Sequence, residues 1–394
     1  MPQKKLYREK NLQIIFAVTL MAVLSVSSIT PVFPDVMRQL DIKGTQVGLL
    51  VTFFTLPGII LSPVLGVLAD RLGRKRILVP SLFLFGVAGT ACAFTRDFHT
   101  LLALRVFQGI GAASLGSINV TIIGDIYSGQ ERTEAMGLNA SVLSIGTAAY
   151  PAIGGALAIL GWQYPFALPI VALPIGIIVL ISLHNPEPRN RQSLKDYIGS
   201  TWAYLKNLKV IALFAAGVLT FIILYGAFLT YFPLLLADSF SASSLIIGGL
   251  MSAMSLITAV VSSQLGRISR WLSQGVIIKL AFVIYAIALF LIPLMPNLWL
   301  LLIPVVIYGV AHGAMVPSIQ IAVSGMAPLE YRAAFMSINT TMLRLGQTIG
   351  PPLMALVYLH GQVQTTFVAA SSLAVMAPLV AIVFTQVKHE RAVK

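Results

Sequence analysis

The chain has 394 residues, of which 57% are hydrophobic and only 10% are charged. Soluble domains carry about 25% charged residues, so this composition excludes a soluble globular protein and predicts an integral membrane protein. The net charge of +13 raises the question of a nucleic-acid partner. We exclude nucleic acid because the basic residues form short clusters between hydrophobic runs and do not share one soluble face.

Twelve apolar runs reach roughly the 20 residues that a helix needs to cross a bilayer. The first is longer than the roughly 7–15-residue core of a secretory signal, so we interpret it as a membrane helix. The predicted spans are 12–37, 44–68, 77–95, 99–124, 134–158, 162–184, 208–237, 243–266, 275–295, 298–325, 332–357 and 363–387.

The spans predict an all-α membrane protein with two six-helix bundles. The bundles occupy 1–184 and 208–394, and the one long break, 185–207, is a cytoplasmic linker. Of the 26 Lys and Arg residues, 21 fall in one set of loops and termini and 3 in the other. Because Lys and Arg collect in cytoplasmic loops, we predict a multi-pass protein of the cell membrane with both termini in the cytoplasm.

An internal repeat relates the two halves at a constant offset of 200 residues. Segment 124–151 aligns with 324–351, which places Arg132 on Arg332. Coincidence within a biased composition is the alternative. Two parallel six-helix repeats, related by an axis along the membrane normal, are typical of transporters.

Residues 66–76, GVLADRLGRKR, lie between the second and third spans. The glycines allow close helix packing and a sharp turn, and the basic residues hold the turn in the cytoplasm. This segment resembles the cytoplasmic signature of the major facilitator superfamily. A plain topology anchor is the alternative, but an anchor needs neither the glycines nor the acid.

The resemblance implies a cytoplasmic gate between the halves. In the family, the aspartate that matches Asp70 contacts the inner end of the eleventh helix, which starts here near Arg332. In the second half Arg270 stands at the position of Asp70, so we expect an asymmetric gate. The predicted gate residues are Gly66, Asp70, Arg71, Gly73, Arg74, Arg132 and Arg332.

The fourth span contains Arg105-Val-Phe-Gln108-Gly109, which is similar to the family's Arg-x-x-Gln-Gly element. An arginine inside a membrane helix costs roughly 2.5–3.5 kcal/mol or more, so it should face a wet cavity or a partner. Snorkelling to the interface is the alternative. The resemblance implies for Arg105 a role in proton coupling or in contact with an anionic substrate.

The fifth span is rich in glycine and resembles the family's antiporter motif, a proline kink. In that motif a glycine precedes the proline, whereas here Tyr150 precedes Pro151. We expect the kink to persist because proline lacks an amide proton, although ordinary small-residue packing also explains the pattern. The kink residues are Gly146, Tyr150, Pro151, Gly154 and Gly155, with Gly350 and Pro351 as the second-half counterpart.

Few other ionisable residues lie at membrane depth. Asp35, near the outer end of span one, is either a proton carrier or a wet carboxylate. His312, in span ten, is either a proton relay or a hydrogen-bonded structural histidine. Arg344 lies about 18 Å up its helix from Arg332, so we expect it in a cavity. The cavity candidates are Arg344, Gln108, Asn119, Tyr225, Tyr231, Met254 and Tyr308.

The sequence predicts a secondary active transporter and not an enzyme, because it has no nucleotide-binding loop and no catalytic set. We expect no metal, no cofactor and a monomer whose partners are a small-molecule substrate, protons and membrane lipids. The resemblance is closest to the drug/metabolite:proton antiporter branch, which implies proton-coupled multidrug efflux by alternating access. Because the deep charges are mainly positive, we expect an anionic, zwitterionic or neutral amphiphilic substrate. The alternative is a facilitator or uptake carrier, a uniporter or symporter, for an anionic or neutral metabolite or a lipid-like molecule.

Overall fold

The computed structural model describes residues 6–184, 207–326 and 332–392, without the side chains of 332–334 and 378–392. The described chain is helical and contains no strand. Twelve long helices follow in chain order. They are α1 (Lys10–Leu40), α2 (Gly44–Leu72), α3 (Arg74–Ala91), α4 (Phe98–Ile126), α5 (Gly129–Leu157), α6 (Tyr164–Ser182), α7 (Leu208–Phe240), α8 (Ser244–Ile268), α9 (Gln274–Leu294), α10 (Leu302–Met326), α11 (Arg332–Leu359) and α12 (Val363–Ala392).

Nine of these helices, as far as the described residues reach, are long and apolar enough by themselves to cross a membrane. Helix α3 falls short because its 18 residues include Arg74, Lys75 and Arg76, which the span prediction left in the loop. Helix α5 likewise starts at Gly129, before the predicted position 134. Polar residues such as Glu and Arg propagate a helix well, so hydropathy finds the membrane part and misses the extension.

The inner turn predicted at 66–76 is a single residue. Helix α2 continues through Asp70 to Leu72 and α3 begins at Arg74, so only Gly73 joins them. Gly73 has φ +103°, a conformation that favours glycine. No described heavy atom lies within 4 Å of a Cβ placed at Gly66, and close packing at this glycine stays a prediction.

Helix α7 has an unusual wide segment at its centre. Residues Ile223–Tyr231 are π-helical. The hydroxyl of Thr230 donates to the carbonyl of Tyr225, five residues back, at 2.7 Å. Such segments are rare and often lie at functional sites.

The repeat is visible in backbone conformation. Among the described non-glycine residues only Asp41 and Ser241 have positive φ, at 48° and 50°. They lie 200 residues apart. Asp41 is the C-cap of α1, and Ser241 is the C-cap of α7. A left-handed C-cap is therefore repeated at the same place in both halves.

The repeat is also visible in side-chain contacts. Ser62 in α2 donates to the carbonyl of Ala113 in α4 at 2.7 Å. Ser262 in α8 donates to the carbonyl of Gly313 in α10 at 2.9 Å. The second bond is the first one shifted by 200 residues. The all-α fold with two pseudo-symmetric halves is therefore confirmed.

The described contacts divide the chain into two units that exchange short segments. The first unit takes residues 243–252 from the second half, and the second unit takes 44–48 from the first half. These segments are the starts of α8 and α2. The boundaries predicted for the bundles, with the linker at 185–207, stay a prediction, and residues 185–206 lie outside the described chain.

Close backbone approach within the first unit depends on Gly109. A Cβ at this position would clash with the backbone carbonyl of Phe54, so α2 and α4 touch there. Gly309 is the repeat counterpart, and a Cβ there would lie 2.8 Å from the carbonyl oxygen of Met254. The same glycine contact thus joins α8 and α10 in the second unit.

We predict that Gly109→Ala lowers thermal stability, because overpacking against backbone costs about 1–3 kcal/mol. Gly116→Ala is the matched control on the same helix, since a Cβ there meets open space. Thermal unfolding of both variants in detergent measures the difference. Equal stability of the two proteins would contradict the assigned contact.

Candidate functional site

Arg105 lies in α4 and is fully buried, so it does not snorkel. Its Nε donates to the carbonyl of Leu50 at 3.0 Å, and Nη1 donates to Ser25 at 2.8 Å and to Gln108 at 2.7 Å. The guanidinium lies 4.4 Å from the ring centroid of Phe54. Its Nη2 has no hydrogen-bond partner in the described part of the chain. The site holds a buried cation with one donor to spare.

A second polar cluster in the first unit links three helices. Asn119 of α4 donates to the hydroxyl of Thr19 in α1, which donates to Asn139 of α5 at 2.5 Å. The Oδ1 of Asn119 is buried and finds no partner among the described residues. Asn119 follows Gln108 by three helical turns, so both lie on one face of α4.

In the second unit, Arg344 of α11 lies in the neighbourhood of the phenol of Tyr225 in α7. Tyr225 stacks on Phe221 with ring centroids 5.8 Å apart. The Nε of Arg344 has no partner within the described residues. Arg344 and Arg105 therefore resemble each other, since each is a membrane-depth cation with an unused donor.

A narrow crevice lies next to Phe221 in the same unit. Asn339 borders it with an Oδ1 that is buried and without a partner in the described chain. Asn339 is the repeat counterpart of Asn139 and is 1% exposed. The lining residues are Phe221, Val316, Ile319, Gln320, Asn339 and Leu343.

His312 belongs to a packed aromatic cluster. Its Nδ1 is hydrogen-bonded to the hydroxyl of Tyr285, a residue that sequence reasoning missed. Tyr308 stacks on Phe228 at 4.5 Å and meets the edge of Tyr285 at 4.7 Å, while Phe228 stacks on Phe232 at 4.7 Å. The hydrogen bond fits the structural interpretation of His312 and leaves the proton relay a prediction.

Two other cavity candidates lie in packing contacts. Tyr231 is fully buried and stacks on Tyr358 with centroids 5.2 Å apart. Met254 is 4% exposed, and its sulfur accepts a hydrogen bond from Thr258 at 3.4 Å. Their roles as substrate contacts stay predictions.

Three charged residues cluster where α2 ends, α3 begins and α4 ends, the side predicted to be cytoplasmic, and we call them the inner charge cluster. Arg74 pairs with Asp70, and its Nε donates to Asp125 at 3.0 Å. Arg74 is 7% exposed, so both acids compensate a buried cation. Asp125 was missed because its 51-residue separation from Arg74 leaves no local sequence pattern.

The other gate candidates differ in their surroundings. Arg71 and Arg132 are exposed, and the guanidinium of Arg132 lies over Gly124. The side chain of Arg332 lies outside the described residues. The contact of Asp70 with the eleventh helix stays a prediction. The described partner of Asp70 is Arg74, which belongs to the same unit.

The part of α5 around Pro151 packs against the start of α8 within the first unit. The amide of Ala152, directly after Pro151, donates to the hydroxyl of Ser252 at 2.9 Å. A Cβ at Gly155 would clash with the carbonyl of Ser244, and one at Gly248 with the carbonyl of Pro151. We call this contact the α5–α8 seam.

Other kink glycines also mark close approaches. Gly154 touches the carbonyl of Ser28, and a Cβ at Gly146 would lie 2.9 Å from Leu20. Ser28 and Leu20 both belong to α1. Tyr150 is half-buried beside Gly146. The glycine-rich pattern thus fits helix packing, and the antiport role stays a prediction.

The second half builds its counterpart from α11. A Cβ at Gly350 would lie 3.0 Å from the amide nitrogen of Gly226, which brings α11 against the π-helical segment of α7. A Cβ at Gly48 would lie 2.8 Å from Pro351. Gly48 and Pro351 therefore repeat the contact of Gly248 with Pro151.

Asp35 lies at the outer end of α1 and is a paired carboxylate. One oxygen accepts from Arg38 at 2.5 Å, and the other accepts from Ser244 at 2.5 Å. Its side chain is 28% exposed. Asp35 is thus open to water and also bonded to the first residue of α8, which fits either of its two predicted roles.

The fold and the buried polar groups define a class of protein, a multi-pass membrane transporter built from a repeated helical unit. The sequence matches the family model of the Major Facilitator Superfamily over residues 15–298 and 276–394. The chain belongs to this superfamily, whose members are transporters and not enzymes.

Curated relatives cover most of the chain. Multidrug resistance protein 1 of Bacillus subtilis (strain 168) is 26% identical over 351 residues, which is 87% of this chain and 89% of that protein. The Bacillibactin exporter of the same strain is 25% identical over 367 residues, covering 88% and 89%.

Solved structures share the fold. A bacterial homologue of the human lysosomal transporter Spinster, in an inward-facing and occupied conformation, has a TM-score of 0.82 at 17% identity and covers 97% of this chain and 98% of that chain. A D-xylose-proton symporter has a TM-score of 0.75 at 15% identity, covering 93% and 95%.

We predict that Arg105→Lys lowers transport at least tenfold although it preserves the charge. Lysine cannot reproduce the planar fork that serves Leu50, Ser25 and Gln108 together, and charge-assisted bonds contribute about 1.5–3 kcal/mol each. Initial transport rates in vesicles measure the effect, normalised to membrane protein level. A lysine variant with the native rate would contradict the role of the bonding pattern.

We predict that Asp125→Asn destabilises the protein more than Asp70→Asn does. Asp125 is 25% exposed and Asp70 is 49% exposed, so water replaces the lost partner less well at Asp125. The expected loss is about 1.5–3 kcal/mol for Asp125 and below about 1 kcal/mol for Asp70. Thermal unfolding measures the order, and the reverse order would refute the assignment of Asp125 as the stronger partner of Arg74.

Proposed function

We propose that the protein is a proton-coupled exporter of small amphiphilic organic compounds, anionic or neutral, that works by alternating access. The observation that carries the proposal is the pair of membrane-depth arginines, Arg105 and Arg344, each with a nitrogen that has no partner among the described residues. A donor left unsatisfied in a low-dielectric site is costly, so a substrate that brings an acceptor gains affinity there.

The distribution of acids supports an anionic or neutral substrate. By position in the sequence, each of the thirteen Asp and Glu residues lies outside the predicted spans or within three residues of a span end. A lipophilic cation would meet a positive charge at either arginine, and neither arginine has a described carboxylate partner. An organic anion or a neutral molecule with acceptor oxygens fits this field better.

Protons are the proposed energy source. One charge that crosses 100 mV supplies roughly 2.3 kcal/mol, which sustains a concentration ratio of about fifty. Arginine keeps its proton, so the exchanging group must be another residue, and Asp35 and His312 are the candidates. Asp35 is the stronger one because it is both water-accessible and bonded to Ser244 at the start of α8. Losing its charge would weaken that contact.

The curated relatives support export, since two of them carry the names of a multidrug resistance protein and an exporter. We further propose the cell membrane as the location, both termini in the cytoplasm and a monomer as the working unit. The Lys and Arg distribution supports the orientation.

A facilitator or uptake carrier for an anionic or neutral metabolite or a lipid-like molecule is the second candidate. Tyr150 favours it, because the antiporter motif has glycine before the proline. The symporter among the structural neighbours shows that the fold also serves proteins named for uptake. Net transport that is unchanged when the pH gradient is dissipated would favour this candidate.

The test is reconstitution of the purified protein in liposomes that contain a pH-sensitive dye. We expect organic anions or neutral amphiphiles to cause proton movement, and lipophilic cations to cause none. Arg344→Gln should lower anion transport about tenfold or more, as expected for a lost charge-assisted bond. Arg96→Gln, which removes an exposed charge from the loop between α3 and α4, is the matched control.

Asp35→Asn should remove the dependence of transport on the pH gradient and leave counterflow intact. Transport that is indifferent to an uncoupler in the native protein would refute proton coupling. An Arg344→Gln protein with native anion rates would refute the proposed substrate class.

A further inference from the structure

The connection between α8 and α9 has lost the charge pattern of its repeat counterpart. Arg270, Gln274 and Gly325 stand at the positions of the inner charge cluster, so no acid is left in the second half at these places. Gln274 donates to Ser269 at 3.0 Å, a short local contact. The second half therefore carries Arg267 and Arg270 in this region without acids like those that neutralise Arg74 in the first half.

These cations are exposed and lack acidic partners. Arg267 and Arg270 are both exposed, and no described carboxylate forms an ion pair with either. Arg267 donates to the side chain of Gln264 at 2.8 Å, a neutral partner. The charge of this connection is thus available to an anion from outside the chain.

Trp271 follows directly and is 87% exposed. A tryptophan so exposed beside two arginines is typical of the headgroup region of a membrane, where its ring is apolar and its N–H is wet. Position 71 in the first half is an arginine, so the repeat does not require this ring.

Helix α9 continues from this connection with an apolar stripe that faces away from the protein. The exposed residues recur every three or four positions, which puts them on one face of the helix. We call this face the α9 stripe, and its members are Val276, Leu280, Val283, Ile287, Phe290 and Leu294.

Lys279 interrupts the start of the α9 stripe. It is exposed, and it lies about 7.5 Å along the helix from Gln274 at 1.5 Å per residue. A lysine one turn inside a lipid-facing surface extends its ammonium back toward the headgroups. Its repeat counterpart, Val79, is 8% exposed, so the lysine belongs to this half alone.

We propose that Arg267, Arg270 and Lys279 bind the headgroup of an anionic phospholipid, with Trp271 at the glycerol level and the acyl chains along the α9 stripe. A topology signal needs only basic residues in the loop. It explains neither the exposed tryptophan nor the lysine within the apolar stripe. The lipid lies in the cytoplasmic leaflet, a placement that rests on the proposed orientation and not on the transported substrate.

The test is native mass spectrometry of the purified full-length chain in detergent with equal amounts of phosphatidylglycerol and phosphatidylcholine. We expect retained phosphatidylglycerol on the native protein and about thirtyfold weaker binding for Arg270→Gln/Lys279→Gln, from the contribution of each basic residue near an anionic lipid. Phosphatidylcholine retention should not change. The matched control, Lys75→Gln/Arg76→Gln, removes two cations from the first turn of α3, the corresponding region of the first half.

Trp271→Ala should also lower phosphatidylglycerol retention, whereas Trp299→Ala, which removes another exposed tryptophan, should not. Equal retention by the native and Arg270→Gln/Lys279→Gln proteins would overturn the proposal. An equal loss in the first-half control would overturn it too, since general basic attraction would then suffice.

Displacement of the lipid by soluble glycerol phosphate would show a phosphate site instead of a lipid site and would also overturn the proposal. All of these measurements are made without a proton gradient or a transported substrate. A negative result therefore leaves the proposed export activity standing, and failure of that activity leaves the lipid site testable.

Discussion

The structure of the first unit depends on the burial of Arg105. A guanidinium at membrane depth has no water to solvate it, so acceptors must come from neighbouring helices. Leu50 supplies a carbonyl from α2, Ser25 a hydroxyl from α1 and Gln108 an amide oxygen from its own helix. One cation thus fixes the relative position of three helices and leaves one donor for chemistry.

The two halves share their packing but not their charges. The serine-to-carbonyl bonds of Ser62 and Ser262 are preserved, and so are the close contacts of Gly109 and Gly309. Most charged positions differ between the halves. For example, Val305 stands at the position of Arg105. The halves therefore share a scaffold of small residues, and each half has its own electrostatics. Such a division lets one fold serve different substrates without disturbing its helix contacts.

The sequence was sufficient for the helices and the family, because apolar runs, basic loops and the motif at 66–76 are local patterns of residue order. It was not sufficient for the helix ends, since polar residues from Gly129 onward extend α5 beyond the membrane part. The partners of buried polar groups were also missed. Asp125 and Tyr285 contact residues that are 51 and 27 positions away, and such pairing is decided by tertiary packing. The π-helical segment of α7 left no local pattern either.

The α5–α8 seam and its repeat counterpart, the contact of α2 with α11, are held together in different ways. Ser252 accepts the amide of Ala152, but the repeat counterpart of Ala152 is Pro352, which has no amide proton. One seam is therefore fastened by a directional bond, whereas the other relies on the fit of Gly48 against Pro351. A hydrogen bond weakens steeply once its geometry is lost, whereas a packing contact tolerates small displacements. The first contact therefore holds its helices in one register, and the second leaves room for small sliding movements.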